Sequence, residues 1–351
     1  MEALIGGFCL SIRTELEAEA DKKGETGMNI GLDVGYSAVK GVSGQRRVTF
    51  PSVVGTPDRA RFSLNSQEDN IILTMPDHVL VGQGAVEQSR FVHRREDRRW
   101  IESDGYYHLM LAAFTDLTTA TVAELRVVTG LPVAFYDGDR RALCDRFLGE
   151  HRAGREGRRA QLFRVTDCRV IPQPFGVLLA LALNDRGCIV DNTLATGAVG
   201  VVDVGGKTTN LLSVHRMAEI GRETSSVNVG AWDVVRAVRN YLADHCPDLE
   251  LRDHQLVEAI TGRQVRYYGK PVDLSGVVET ALEPLADQVI AQATQLWNGG
   301  AALDAILISG GGALLLGPRI RDHFPHARVV SEPVYANALG YWKLAQRLVS
   351  Q

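Results

Sequence analysis

Residues 30–41 read IGLDVGYSAVKG, and residues 201–212 read VVDVGGKTTNLL. Each runs an apolar strand into Asp-Val-Gly, then small or hydroxyl-bearing residues, then a second apolar stretch. Each therefore reads as a β-hairpin whose first strand ends on an acidic residue, Asp33 or Asp203. Glycine at that point permits positive φ and close backbone approach. The N–H groups and hydroxyls of such a turn can converge on an anion. One hairpin of this kind is an ordinary turn. Two of them, one in each half of the chain, suggest a duplicated domain whose copies face each other across a cleft.

The chemistry of the pair is specific. Two carboxylates aimed at one polyphosphate repel its oxygens unless a divalent cation lies between them. Mg²⁺ suits that position, because it keeps its waters and binds phosphates through a few carboxylates. Lys40, seven residues after Asp33, offers a point charge to the phosphates.

A third segment, AILISGGGALL (305–315), runs a buried strand through three glycines into a helix. Gly310, Gly311 and Gly312 would let a ribose or a flat ring lie on bare backbone, and the helix start favours phosphate. The run is not GxGxxG and lies far from the first strand, which argues against a dinucleotide-binding Rossmann unit.

Around these segments strand and helix signals alternate. Apolar runs predict strands at 29–34, 39–42, 124–128, 199–204, 208–214 and 305–309. Helical spacing predicts helices over 106–115, 139–148, 175–183, 229–242, 253–260, 275–296, 313–321 and 336–349. Such interleaving argues for an α/β architecture with parallel-rich sheets. The basic stretch RAGREGRR (152–159) reads as a solvated loop; without interleaved aromatics it is a poor nucleic-acid strand contact.

Composition narrows the class. The chain has 351 residues, 45% apolar and 23% charged, which excludes disorder or a fibrous repeat as a whole-chain description. A net charge of −4 gives no global basic field, so direct nucleic-acid binding is not expected. Five cysteines with no CxxC pair argue against a metal knuckle or a disulfide framework and fit a reducing cytoplasm. No apolar run is long enough to span a bilayer, so no membrane partner is expected. Residues 1–27 read as a dispensable extension, because the strand opening at Met28 is complete without them. A short amphipathic anchor is the alternative, opposed by Glu15, Glu17, Glu19 and Asp21.

These segments together resemble the actin, heat-shock chaperone and sugar kinase superfamily. GLDVGYSAVK (31–40) resembles its first phosphate segment, DVGGKTTN (203–210) its second, and SGGGA (309–313) its adenosine segment. VIPQPFGVLLA (170–180) and VYANALGYWKL (334–344) resemble its two connecting segments. PQPFG and YANALG bring the chain closest to ParM-like plasmid-segregation actins and archaeal actin homologues. The resemblance implies two actin-like α/β domains across a nucleotide cleft: 28–184 plus 333–351, and 185–332. It implies ATP, with GTP as the alternative, and Mg²⁺-dependent hydrolysis coupled to filament assembly. Asp33 and Asp203 would hold Mg²⁺ through its waters. The cofactor-binding set would be Gly35, Tyr36, Ser37, Lys40, Gly205, Gly206, Lys207, Thr208, Thr209, Gly310, Gly311 and Gly312. Gln173 would orient the attacking water; being neutral, it would position and polarise that water without removing its proton. Asn210 departs from relatives, which often carry Asp there. The implied partners are further copies of the chain and a DNA-binding adapter protein.

Several readings stay open beside these. Gln173 between two prolines also reads as a turn residue, and Tyr36 as a packing residue. Trp297 and Trp342 read as core or assembly contacts. A small-molecule kinase of the same fold would need a carboxylate base, for which Asp137 and Asp139 are the candidates. A membrane-associated, shape-determining actin would need the N-terminal stretch as anchor. A chaperone-type ATPase would need room for a client domain after the last helix.

Overall fold

The computed structural model describes residues 27–44, 46–58, 71–93 and 98–349. Residues 1–26 lie outside that range, and with them both readings of the N-terminal extension. The chain forms two compact units. One comprises residues up to 130, 137–171 and 341 onwards, and the other comprises 131–136 and 172–340.

The first unit is built on β1 (Met28–Val34), β2 (Ala38–Ser43), β3 (Arg46–Pro51), β4 (Val54–Gly55), β5 (Ile71–Met75), β6 (Val79–Val81), β7 (Val92–His93), β8 (Val122–Leu131), β9 (Gly149–Arg155) and β10 (Gln161–Pro172). They form one sheet in the order β3-β2-β1-β8-β10-β9-β5-β6-β4-β7. β1 pairs antiparallel with β2 and parallel with β8. The helix Asp104–Leu117 starts where the sequence supplies a cap: the Ser103 hydroxyl accepts from the Tyr106 N–H at 3.1 Å. Its apolar face is buried from Leu109 to Phe114. β4 to β7 enclose a small separate core of Val53, Ile72, Leu80 and Ala85.

The second unit is built on β11 (Ala198–Val204), β12 (Thr209–His215), β13 (Ala218–Glu219), β14 (Ser225–Val227), β17 (Ala305–Ser309) and β18 (Ala327–Val329), with a separate hairpin of β15 (Gln264–Tyr267) and β16 (Lys270–Asp273). The main order is β13-β12-β11-β17-β18, with β14 on β12. Val202 and Val204 of β11 enter one core, and Val199 and Val201 enter another. This is the alternation of a strand buried on both faces, and it explains why β11 is apolar throughout before Asp203. Helices Ala231–His245, Asp253–Gly262, Ser275–Leu296 and Ala313–His323 cover the first face. Helix Phe175–Ala182 covers the second, through Val177, Leu178 and Ala182. Trp297 belongs to the first core, where its indole N–H donates to the Glu223 carbonyl at 3.1 Å. Trp342 is buried in the first unit.

The duplication is present in the backbone. In β1–β2, Asp33 pairs with Lys40 and Val34 with Val39. In β11–β12, Asp203 pairs with Asn210 and Val204 with Thr209. Each hairpin closes with the same bond: Gly35 N–H to Ala38 O at 3.1 Å, and Gly205 N–H to Thr208 O at 2.9 Å. Each first strand has a parallel neighbour on its other side, β8 or β17.

The reading of 152–159 as a solvated loop is corrected. Arg152–Arg155 is the end of β9, pairing with β10, and only the residues beyond it turn. Ala153, Gly154 and Arg155 are buried, and the Arg155 guanidinium pairs with Asp116. Arg158 donates to the Thr115 carbonyl at 2.7 Å. The high charge of the segment hid its alternation, because one of its arginines is an internal ion-pair partner.

Candidate functional site

Asp33 ends β1 and is buried at 4% exposure. Lys40 stands opposite it across the hairpin, with Nζ 3.4 Å from Asp33 Oδ2, an ion pair rather than a short hydrogen bond. Gly35 is tight: a Cβ there would lie 3.2 Å from the Ala38 carbonyl and 3.4 Å from Lys40 Nζ. Ser52, buried, braces the turn from outside. Its hydroxyl donates to Gly35 O at 2.5 Å, and its N–H to Ser37 O at 3.0 Å. A trans peptide points its carbonyl and the following N–H in opposite directions. With the carbonyls of Gly35 and Ser37 held by Ser52, the N–H groups of Tyr36 and Ala38 are turned away from it.

The Tyr36 ring lies 6.1 Å from Trp100, which meets Tyr106 edge-on at 5.7 Å. Tyr36 thus has the packing contact that one reading expected. Burial, then the neighbouring Cys168 and Asp33, push the Tyr106 phenol far above its ordinary range, so it stays protonated.

Asp203 ends β11 and is equally buried. The loop after it is braced by the start of helix Ala231–His245. Ala231 N–H donates to Gly205 O at 3.0 Å, and Trp232 N–H to Gly206 O at 2.8 Å. By the same peptide geometry, the N–H groups of Gly206 and Lys207 are turned away from that helix, side by side. Two successive N–H groups so aimed make an anion-binding concavity. Gly230 makes the close approach possible, since a Cβ there would sit 2.3 Å from Gly206 O. Lys207 is exposed and Thr208 half-buried. The Thr209 hydroxyl is fully buried and donates to Val229 O at 2.8 Å, so it ties the loop to its brace. Asn210 Oδ1 accepts from the Ser226 hydroxyl at 2.7 Å.

The glycine triplet lies directly on this loop. Gly312 N–H donates to Val204 O at 2.9 Å. Gly310 has φ +92°, and a Cβ there would meet Val204 O at 2.2 Å and Asp203 Oδ1 at 2.8 Å. Gly311, between them, is exposed and has open space where a Cβ would be. From a third direction Asn337 Nδ2 donates to Asp203 Oδ2 at 2.9 Å. Three distant segments of the sequence, 203–210, 309–313 and 334–344, therefore meet at Asp203.

Gln173 stands in the turn between β10 and helix Phe175–Ala182. Its N–H donates to Leu131 O at 2.8 Å, its carbonyl accepts from Gly176 N–H at 3.0 Å, and its side chain is half-buried. Asp137 and Asp139 are in the first turn of helix Tyr136–Phe147, where carboxylates complement the helix dipole.

Ser52, Gly230 and Asn337 were not among the expected site residues. Ser52 and Gly230 lie outside the glycine-rich motifs they brace, and nothing in their local sequence marks them. Asn337 lies within YANALG, where its type alone does not set it apart from its neighbours. Among the described residues no three His, Cys, Asp or Glu side chains group to cage a metal. Each hairpin instead presents one buried carboxylate, a hard oxygen donor of the kind that meets a hydrated Mg²⁺ through its waters. In the second unit Gly310 and Gly312 allow the triplet to lie against Val204, and Gly311 between them leaves bare backbone open to a ligand.

Comparison with known proteins bears on the family and the fold. Residues 31–176 match the family model of the N-terminal domain of actin-like proteins. Residues 201–322 match that of the C-terminal domain of the archaeal MreB-like actin homologue. No match was found among curated protein sequences. The fold is similar to that of Ta0583, an archaeal actin homologue, with TM-score 0.77 and 22% identity over 91% of this chain and 99% of that one. It is similar to the ParM of a 15-stranded filament from Clostridium botulinum, with TM-score 0.78 and 22% identity over 92% and 100%. Ta0583 in complex with ADP aligns at TM-score 0.76 and 23% identity over 91% and 99%.

Proposed function

The chain belongs to the actin-like proteins, and from that premise we propose that it is a cytoplasmic Mg²⁺-dependent ATPase that assembles into filaments and segregates DNA through an adapter protein. One observation carries the reading. The same acidic hairpin occurs twice in the same register, and the second copy is overlaid by the glycine triplet. Filament and ADP-bound relatives of the same fold support it.

In this reading Asp33 and Asp203 hold the waters of Mg²⁺, and Mg²⁺ neutralises charge on the phosphates. In the first hairpin the N–H groups of Tyr36 and Ala38, turned away from Ser52, would meet phosphate oxygens with the Ser37 hydroxyl and Lys40, while the Gly35 N–H closes the turn on Ala38 O. In the second hairpin the N–H groups of Gly206 and Lys207 would do the same, with the Thr208 hydroxyl, while the Gly205 N–H closes the turn on Thr208 O. Thr209 serves by fixing the loop to Val229. Gly310, Gly311 and Gly312 give the adenosine a backbone surface without side chains. Gln173 orients the attacking water. A neutral positioning residue with no strong base implies slow turnover, roughly 1 s⁻¹ or less. GTP remains the alternative nucleotide.

The test is phosphate release with and without Mg²⁺, alongside negative-stain imaging with ATP. Asp203→Ala abolishes turnover and nucleotide-dependent filaments on this reading. Ordinary phosphate release by that variant refutes the site.

A further inference from the structure

The two hairpins have the same backbone, but their carboxylates are held differently. Asp33 meets Lys40 from within its own hairpin, at 3.4 Å. The residue opposite Asp203 is Asn210, and its Oδ1 is engaged by Ser226. The donor at Asp203 Oδ2 comes instead from Asn337, 134 positions away in the chain. Its approach is fixed by a clamp: the Ser309 hydroxyl donates to Pro333 O at 3.0 Å, and Gly310 N–H donates to the same carbonyl at 2.9 Å. Ser309 itself is the register partner of Asp203 in the neighbouring strand β17. The clamp therefore ties the first turn of helix Ala336–Val349 to the strand that ends in Asp203.

Asn337 is buried at 6% exposure, and its Oδ1 accepts no hydrogen bond from the protein. A buried amide oxygen without a donor is costly, and native proteins rarely carry one that serves no purpose. A hydrated cation held by Asp203 would bring water hydrogens within one amide group of the carboxylate.

We propose that Asn337 is a positioning residue for the cation: its Nδ2 fixes Asp203 Oδ2, and its buried Oδ1 accepts from the hydration shell that Asp203 binds. The inference rests on the reading of Asp203 as the carboxylate of a Mg²⁺–nucleotide site. It adds a residue to that site from the C-terminal helix. Leucine, of similar size, removes both the donor and the acceptor without opening a large cavity. Alanine removes them with a cavity.

The experiment uses the full chain and a fluorescent ADP analogue, titrated in Mg²⁺ and again in EDTA. Thermal melting without nucleotide runs alongside. Wild type binds more tightly in Mg²⁺. In Asn337→Leu and Asn337→Ala, affinity in Mg²⁺ falls about tenfold or more, the scale of a lost hydrogen bond to a charged group. Affinity in EDTA changes less than about twofold, because the phosphate-binding turns are untouched. The ratio of the two affinities is the readout, and a merely structural role does not move it. If both variants lose binding equally in Mg²⁺ and EDTA, Asn337 is a structural prop and the proposal fails. If the wild-type ratio survives in both variants, the proposal fails while the Mg²⁺–nucleotide reading stands. If wild type itself binds equally with and without Mg²⁺, the parent reading fails first.

Discussion

Gly310 and Gly311 are adjacent in the chain, yet alanine at each should act in opposite ways on stability. At Gly310 the φ of +92° strains any L side chain, at about 1–3 kcal/mol. The added Cβ would lie 2.2 Å from Val204 O and 2.6 Å from Val204 C. Those are backbone atoms of a central strand, so the strand or the triplet must move. Overpacking of that kind costs about 1–3 kcal/mol more. The sum, about 2–6 kcal/mol, is a large part of the roughly 5–15 kcal/mol that holds an ordinary protein folded. In a unit of this size it lowers Tm by roughly 4–20 °C. The third contact, Asp203 Oδ1 at 2.8 Å, makes the damage functional as well. Nucleotide affinity in Mg²⁺ should drop even where the protein remains folded. Gly311→Ala meets nothing within 4 Å, and its φ is not in the left-handed range. Its stability should be unchanged, or raised by about 0.4–1 kcal/mol through the unfolded chain, while its Cβ intrudes on the proposed adenosine surface and lowers ADP affinity without loss of folding. Thermal melting and ADP titration of the two variants side by side test this. Equal melting temperatures would refute the packing of the triplet on β11.

Two further outcomes follow from the same structure. Gln173→Ala should bind ATP normally but hydrolyse it about 10²-fold more slowly, since a positioning residue acts mainly on the transition state; its filaments should persist in ATP, and a wild-type single-turnover rate would make Gln173 a turn residue only. His151 tests the pH dependence of the first unit. Its Nε2 lies 2.7 Å from Phe147 O and its Nδ1 3.2 Å from the Tyr107 hydroxyl, and burial, aided by Arg146, lowers its pKa below 6.5. Above pH 6.5 it is neutral folded and unfolded and contributes no slope. As pH falls from 6.5 towards the lower folded value, the unfolded chain takes up the proton first, and stability declines. His151→Gln should reduce that acid-side slope in denaturant titrations at several pH values; an unchanged slope would place the effect elsewhere.

The fold was legible where the signal was local and repeated. The apolar runs before Asp33 and Asp203, and the glycine after each, specify a strand and its turn without help from the rest of the chain. Helices 231–245 and 275–296 were legible for a similar reason, because the spacing of Val234, Val235 and Val238, and of Leu282, Ala286 and Val289, survives burial. β9 was not legible. Its pattern is carried by His151, Ala153 and Arg155, and an arginine buried against Asp116 has no signature that separates it from a solvated one. An internal ion pair is a property of two segments, and either one alone looks polar.

The site divides along the same line. The residues that face a ligand in this reading were visible because glycine, hydroxyl and carboxylate types cluster in short motifs. The residues that hold those motifs in shape were not, and the reason is physical. A turn can present its N–H groups only if its carbonyls are bonded on the other side, and the donors that do this come from wherever the fold brings them. For the first turn the donor is Ser52, at the end of an edge strand. For the second it is the start of helix Ala231–His245, admitted by the missing Cβ of Gly230. The two halves therefore share the motif and differ in its support. In the proposed reading phosphate chemistry constrains the turn, whereas the brace need only deliver a hydrogen bond, which a serine hydroxyl and a helix N-terminus do equally well. Asp203 and Asn337 follow the same logic as Asp33 and Lys40. Both copies carry the carboxylate, and the group that meets it comes from its own hairpin in one and from a distant segment in the other.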